Sequence, residues 1–198
     1  MKLLNFHRLE LIYFLLFTLW GVANGQVTVF YLIYLFWFQE LIRTIVDLFF
    51  IVKQQKTIAE RWFSAKISYG GFFILFVYFV FIVVLFGWMI NFKNSELLAT
   101  NIGVFVFKNW YFNSTLILFF IEYIYFRTQV DNSNLQIEIF NKRHIILHIS
   151  IIAGAIIQMI LLPKLNIENQ WGNALVVLPF LLLKLFLNSQ SDFKFNKI

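Results

Sequence analysis

The apolar run at residues 67–90 contains no charged side chain and is the strongest constraint on the fold. Its length matches the ~20 residues that a helix needs to cross ~30 Å of hydrocarbon. Lipid offers the backbone no hydrogen-bond partner, so such a segment has to be helical. Similar runs recur along the chain, and they predict six membrane spans, at residues 9–23, 27–52, 67–90, 104–126, 144–162 and 173–187.

The composition agrees with this interpretation. Hydrophobic residues make up 61% of the 198 residues and charged residues 13%, whereas soluble domains have about 45–50% and about 25%. A soluble chain of this length cannot bury so much apolar surface. We therefore expect an all-α fold, a polytopic transmembrane helical bundle that forms one domain over residues 1–198 and has the lipid bilayer as its main partner.

The distribution of Lys and Arg between the predicted spans gives the bundle a direction. One side holds 11 of these residues, and the other side holds three, Lys93, Lys108 and Lys164. The basic side contains Lys2, Arg8, Lys53, Lys56, Arg61, Lys66, Arg127, Lys142, Arg143, Lys194 and Lys197. Cytoplasmic loops carry such an excess. The pattern predicts both termini in the cytoplasm and a location in the cell membrane. It also explains the net charge of +6, so no nucleic-acid binding is expected.

Polar connections separate several of the predicted spans. Residues 53–66 and 91–100 are polar and are expected to be loops, and residues 127–143 are the clearest loop. The stretch 102–112 is apolar but contains Lys108. It is either an interfacial helix or the outer turns of the fourth span.

A few ionisable residues fall well within the predicted spans. Each costs at least ~2.5–3.5 kcal/mol at a helix centre if it faces lipid alone, so we expect them to face inward and to pair. With the predicted orientation, four helices place such groups in the cytoplasmic half of the membrane. The candidate binding cluster consists of Glu40, Arg43, Asp47, Glu122, His148 and Lys184.

Three members of this cluster lie on the second span at spacings of three and four residues. Glu40, Arg43 and Asp47 therefore share a wedge of about 60° on one helix face. Arg43 is expected to bridge both carboxylates. Two interpretations stay open, a substrate or proton site and a self-neutralising triad that fixes helix packing.

The remaining three members also have structural alternatives. Lys184 can extend its ammonium group to the headgroups, Glu122 can pair with a neighbouring basic residue, and His148 can be a hydrogen-bonded packing residue. The chain has no cysteine and no HExxH motif. A zinc or iron site needs three or more suitable ligands, so we expect no metal and no cofactor.

Several short motifs resemble a family of small bacterial polytopic membrane proteins that is defined only as a domain of unknown function. The run 36–40, Phe-Trp-Phe-Gln-Glu, opens the charged helix, and the run 69–72 is Tyr-Gly-Gly-Phe. Arg143, Leu147-His148, Gly154 and Lys184 complete the resemblance. The chain departs from the family pattern at Gln39, Ser68 and Asn188, where relatives carry a carboxylate, a histidine and an aspartate. The resemblance implies a multi-span membrane fold in the inner membrane of a bacterium and no specific activity.

The sequence supports three hypotheses about function. The first is transport of a small solute or ion along the polar cluster, for which six spans would require a homo-oligomer. The second is a non-enzymatic membrane scaffold or accessory subunit. The third is a metal-dependent intramembrane enzyme that uses Glu122 and His148, but an enzyme is the less expected outcome.

Overall fold

The computed structural model describes residues 16, 18, 20–21, 24–25, 27–54, 58–89, 94–129 and 142–161, with the backbone alone at 54, 58–68, 142–146, 150, 158 and 161. Within these ranges the chain is all-α, as expected. The helices are α1 (Val29–Gln54), α2 (Ile58–Phe81, continued by a π-helix at Ile82–Met89), α3 (Ser95–Phe105), α4 (Trp110–Gln129) and α5 (Lys142–Ile156, continued by a π-helix at Ile157–Leu161). The predicted span at 173–187 lies outside the described residues, and so does most of the span at 9–23.

The predicted loops around the third span are shorter than expected. The helix resumes at Ile58, so the expectation of a loop over 53–66 is wrong from that residue onward. The loop expected at 91–100 ends early because Asn94 caps α3, its side chain accepting a hydrogen bond of 3.1 Å from the Leu97 amide. An N-cap asparagine satisfies a backbone donor that the first helical turn leaves without a partner.

The fourth predicted span is not continuous. After α3, Phe107 adopts a left-handed conformation with φ of 59°. The Phe107 amide bonds to the Val104 carbonyl at 3.1 Å, and the Lys108 amide bonds to the Gly103 carbonyl at 2.8 Å. This pair of bonds is the Schellman motif that ends helices. The ambiguous stretch at 102–112 is therefore the end of one helix, a turn and the start of the next.

Asn109 begins the second of these helices. The residue is buried, and its side-chain oxygen accepts a hydrogen bond of 3.0 Å from the Phe112 amide. We expect Asn109→Ala to lower the free energy of unfolding by about 1 kcal/mol, the usual effect of losing an N-cap. Equilibrium unfolding in detergent measures the loss. Asn109→Asp keeps the acceptor and should recover most of it, and equal losses in both variants would contradict the capping role.

Helix α1 lies at the centre of the described part of the chain. It runs antiparallel to α2, because Phe30 lies beside Gly87 while Trp37 donates its indole N–H to the Leu75 carbonyl at 2.7 Å. At Gly87 an added Cβ would lie 3.1 Å from the Phe30 ring, so even alanine would require the ring to shift by a few tenths of an ångström. Only glycine allows this approach without a shift of the ring.

Helix α1 runs parallel to α4. The rings of Tyr31 and Phe112 meet near the start of both helices with centroids 5.5 Å apart, and Asp47 meets Tyr123 further along. Tyr34 lies in the middle of this packing. Its ring contacts those of Phe30, Trp37, Phe38, Phe79, Phe105 and Phe112. Edge and stacked ring pairs of this kind add to the stabilisation from burial, so aromatic contacts hold the first part of α1 against its neighbours.

The outer surface of the described bundle is apolar. Two stretches, Tyr69–Met89 and Ser95–Gln129, are long and apolar enough to cross a membrane. On the first stretch a helical stripe of large apolar side chains points away from the bundle, with Tyr69 78% and Phe73 68% exposed, followed by Phe76, Val80, Val84 and Trp88. Soluble monomers rarely expose a contiguous apolar patch of this kind.

Candidate functional site

Four charged side chains of the described region lie where α1 and α4 pack together. Helix α1 supplies Glu40, Arg43 and Asp47, and α4 supplies Tyr123 and Arg127, which are four residues apart and so share one helix face. We call these five residues the charged seam. Glu40 and Arg127 are buried, and the other charged members are partly buried.

Asp47 forms the strongest interactions of the charged seam. Its Oδ1 atom lies 2.7 Å from Nε of Arg127 and accepts a hydrogen bond of 2.6 Å from the Tyr123 hydroxyl. Arg127 also donates from Nε and Nη2 to the Tyr123 hydroxyl, at 3.1 and 2.8 Å. Hydrogen bonds between ionised partners are short and strong, so this group ties α1 to α4.

Arg43 interacts differently from the expectation. Its Nη1 atom lies 3.7 Å from a carboxylate oxygen of Glu40, while the ion pair of Asp47 is with Arg127. The expected bridge from Arg43 to both carboxylates is thus replaced by two separate pairs. The Arg43 guanidinium lies over the rings of Phe119 and Tyr123, 4.9 and 5.8 Å from their centroids. Aromatic faces attract cations, and the attraction is larger away from water.

The other predicted members of the cluster are placed as follows. Glu122 is half-buried on α4, next to Tyr123. His148 is exposed on α5, and its ring contacts that of Tyr78 on α2 with centroids 5.7 Å apart. Lys184 lies outside the described residues. In the part of the chain that the structure describes, no three His, Cys, Asp or Glu side chains lie together as metal ligands.

A second polar group lies at the other end of α1. The Thr28 hydroxyl accepts a hydrogen bond from the Tyr31 amide at 3.1 Å and so caps α1. It donates to Oδ1 of Asn101 at 2.7 Å, and Nδ2 of Asn101 donates to the Phe86 carbonyl at 3.1 Å. Thr28 and Asn101 are buried. The group joins α1, α3 and the π-helix that follows α2.

The sequence analysis missed two residues that join helices, Arg127 and Asn101. Arg127 falls in a predicted loop. Two features of the sequence nevertheless indicate that Arg127 has a partner inside the bundle. These are Tyr123, four residues earlier, and Asp47, on a helix that runs in the same direction. Asn101 falls at the edge of a predicted polar connection. Its role depends on a carbonyl within a π-helix, and π-helical turns occur frequently at functional sites but have no simple sequence signature.

Comparison with protein families places the chain in a family. The model of DUF6498, a family of unknown function, matches residues 3–194. The chain belongs to this family. Membership confirms the expectation that the chain resembles an uncharacterised family over most of its length. No curated protein and no solved structure matches the chain. The family supplies no activity, so a proposal about function has to come from the arrangement of the residues.

Proposed function

We propose that this chain is a multi-pass protein of the cell membrane and that it serves as a non-enzymatic scaffold or accessory subunit. The observation that carries the membrane assignment is the distribution of side chains. Large apolar residues such as Phe73 and Trp88 face outward, while the buried interface holds Glu40 and Arg127. Lipid favours this arrangement, because ionisable residues within membrane helices face the bundle interior and pair.

The helix directions support the proposed crossing pattern. In a chain that crosses the membrane repeatedly, α1 runs antiparallel to α2 and parallel to α4. The contact of Phe30 with Gly87 agrees with the first direction, and the contact of Tyr31 with Phe112 agrees with the second. With both termini in the cytoplasm, the charged seam lies in the cytoplasmic half of the membrane and α3 lies at the outer face. At roughly 1.5 Å per residue, α4 alone is about 30 Å long and suffices to span the hydrocarbon.

The pairing within the charged seam supports a structural role. Asp47 is held by Arg127 and Tyr123, and Arg43 by Glu40 and two aromatic rings. Paired charges between helices fix their register and their partner, which suits a scaffold. The alternative, transport of a small ion or solute by a homo-oligomer, is favoured by one observation. The seam brings four charged side chains, Glu40, Arg43, Asp47 and Arg127, into one interface, and ionisable groups within membrane helices commonly line the path of a solute or ion.

The proposed topology can be tested directly because the chain has no cysteine. Lys53→Cys and Lys108→Cys place single thiols at exposed positions near opposite ends of the bundle. In intact cells a membrane-impermeant maleimide should label Cys at position 108 and should label position 53 only after permeabilisation. Labelling of both positions in intact cells, or of neither after permeabilisation, would contradict the proposed crossing pattern. Release of the protein from membranes at alkaline pH would contradict integral insertion.

A further inference from the structure

Arg43 and Arg127 share the charged seam but differ in how their donors are used. Arg127 bonds to Asp47 and donates twice to the Tyr123 hydroxyl. Arg43 makes no hydrogen bond to any residue that the structure describes, and its Nε is buried without an acceptor there. Its ion pair with Glu40, at 3.7 Å, is longer than a hydrogen bond.

This difference is unexpected for a side chain in such surroundings. Only 22% of the Arg43 side chain is exposed, and a guanidinium has five N–H donors. A buried donor without an acceptor destabilises a protein. The rings of Phe119 and Tyr123 attract the charge of the guanidinium but accept none of its N–H groups in an ordinary hydrogen bond. The Nε donor of Arg43 therefore lacks an acceptor among the described residues, and an oxygen ligand would supply one.

We infer that Arg43 is an anion-binding residue that receives a phosphate group at the charged seam. The planar guanidinium matches two phosphate oxygens and binds them with two parallel hydrogen bonds. The two rings and Glu40 hold the Arg43 side chain in place before a ligand arrives, so little side-chain entropy is lost on binding. Asp47 does not compete for Arg43, because its ion pair and its hydrogen bond engage Arg127 and Tyr123.

Two sources of the phosphate group fit the position of Arg43. The rings of Phe119 and Tyr123 lie roughly 9–15 Å from the last residue of α4, at about 1.5 Å per residue. A phospholipid headgroup drawn inward from the cytoplasmic leaflet can reach that depth where the bilayer thins around an arginine. A phosphate-bearing solute that enters from the cytoplasm can reach it as well. If the source is a lipid headgroup, the inference rests on the proposed placement in the membrane. If the source is a soluble phosphate, it does not.

The test uses the full-length protein in a nonionic detergent, with two probes, inorganic phosphate and mixed micelles that contain phosphatidylglycerol or, as the neutral reference, phosphatidylcholine. The readout is the midpoint of thermal unfolding as a function of probe concentration. We expect saturable stabilisation of the wild-type protein. Arg43→Gln should abolish the response, and Arg43→Lys should weaken the apparent affinity about tenfold, because lysine keeps the charge but loses the planar fork.

Lys53→Gln is the matched control, since it removes one positive charge from an exposed site on the same helix and should respond as the wild type does. Saturable stabilisation by inorganic phosphate would identify the ligand of Arg43 as a free phosphate-bearing solute. Stabilisation by phosphatidylglycerol alone would identify it as a lipid headgroup. The inference is overturned if neither probe stabilises the wild type, or if Arg43→Gln responds as Lys53→Gln does. If Arg43→Gln does not fold, the comparison of Arg43→Lys with wild type decides, and equal affinity overturns it. None of these outcomes alters the maleimide labelling, so failure of this inference is distinguishable from failure of the proposed topology.

Discussion

Asp47→Ala is expected to lower the free energy of unfolding by about 3 kcal/mol, because it removes a carboxylate that pairs with the buried guanidinium of Arg127. Removal of one partner of a buried pair is more destabilising than removal of both. The double variant with Arg127→Ala should therefore lose less than the sum of the two single variants, with a coupling of about 2 kcal/mol. Reversible unfolding in bicelles, followed by tryptophan fluorescence, measures all four proteins of this cycle.

Two controls separate the ion pair from other effects at this site. Tyr123→Phe removes the hydroxyl that bonds to Asp47 and Arg127 and should have a smaller effect than Asp47→Ala, since it removes no charge. Lys53→Ala removes an exposed charge from the same helix and should change stability little. Additive losses for Asp47→Ala and Arg127→Ala would show that the pair does not join α1 to α4, and the scaffold proposal would lose its main support.

Asn101→Leu is expected to destabilise the protein by about 2 kcal/mol, although leucine adds apolar volume. The substitution removes the acceptor of the Thr28 hydroxyl and the donor to the Phe86 carbonyl. Both groups are left in buried surroundings, where hydrogen bonds between helices typically contribute about 1 kcal/mol each. Denaturant unfolding measures the change, and the midpoint should fall without a change in slope, as expected for a pure loss of stability.

The neighbouring residue offers a control for this prediction. Thr100→Ala removes a hydroxyl that, among the described residues, bonds to the Glu96 carbonyl of its own helix at 3.0 Å, and its effect should be small. A gain in stability for Asn101→Leu would mean that burial of leucine outweighs the two hydrogen bonds. In that case the group at Thr28, Asn101 and Phe86 would not hold α3 against α1 and the π-helix.

The helices α1 and α2 and the long apolar stretches could be predicted because their signal lies in consecutive residues. An apolar run such as 67–90 is helical in any lipid environment, since its backbone groups have no other partners. The break at Phe107 was less predictable. A left-handed helix end is usually a glycine, whereas here a phenylalanine takes that conformation and packs its ring against those of Phe38 and Phe112.

The charged seam was predicted in part. The spacing of Glu40, Arg43 and Asp47 placed them on one face of α1, and the structure has them at the interface with α4. The pairing differed, because the closer partner of Asp47 comes from another helix. Spacing along one helix identifies which residues can meet, but the register between two helices decides which of them do.

Composition and helical periodicity were enough to predict that the chain is helical, that its apolar runs are long enough for a membrane, and that Glu40, Arg43 and Asp47 share one face of α1. These properties depend on composition and on the periodicity of one helix. The tertiary structure alone decided that Asp47 pairs with Arg127, that Arg43 keeps its donors beside two aromatic rings, and that Asn101 joins three helices. Each of these contacts links residues far apart in the chain, so it exists only once the helices have packed in a particular register.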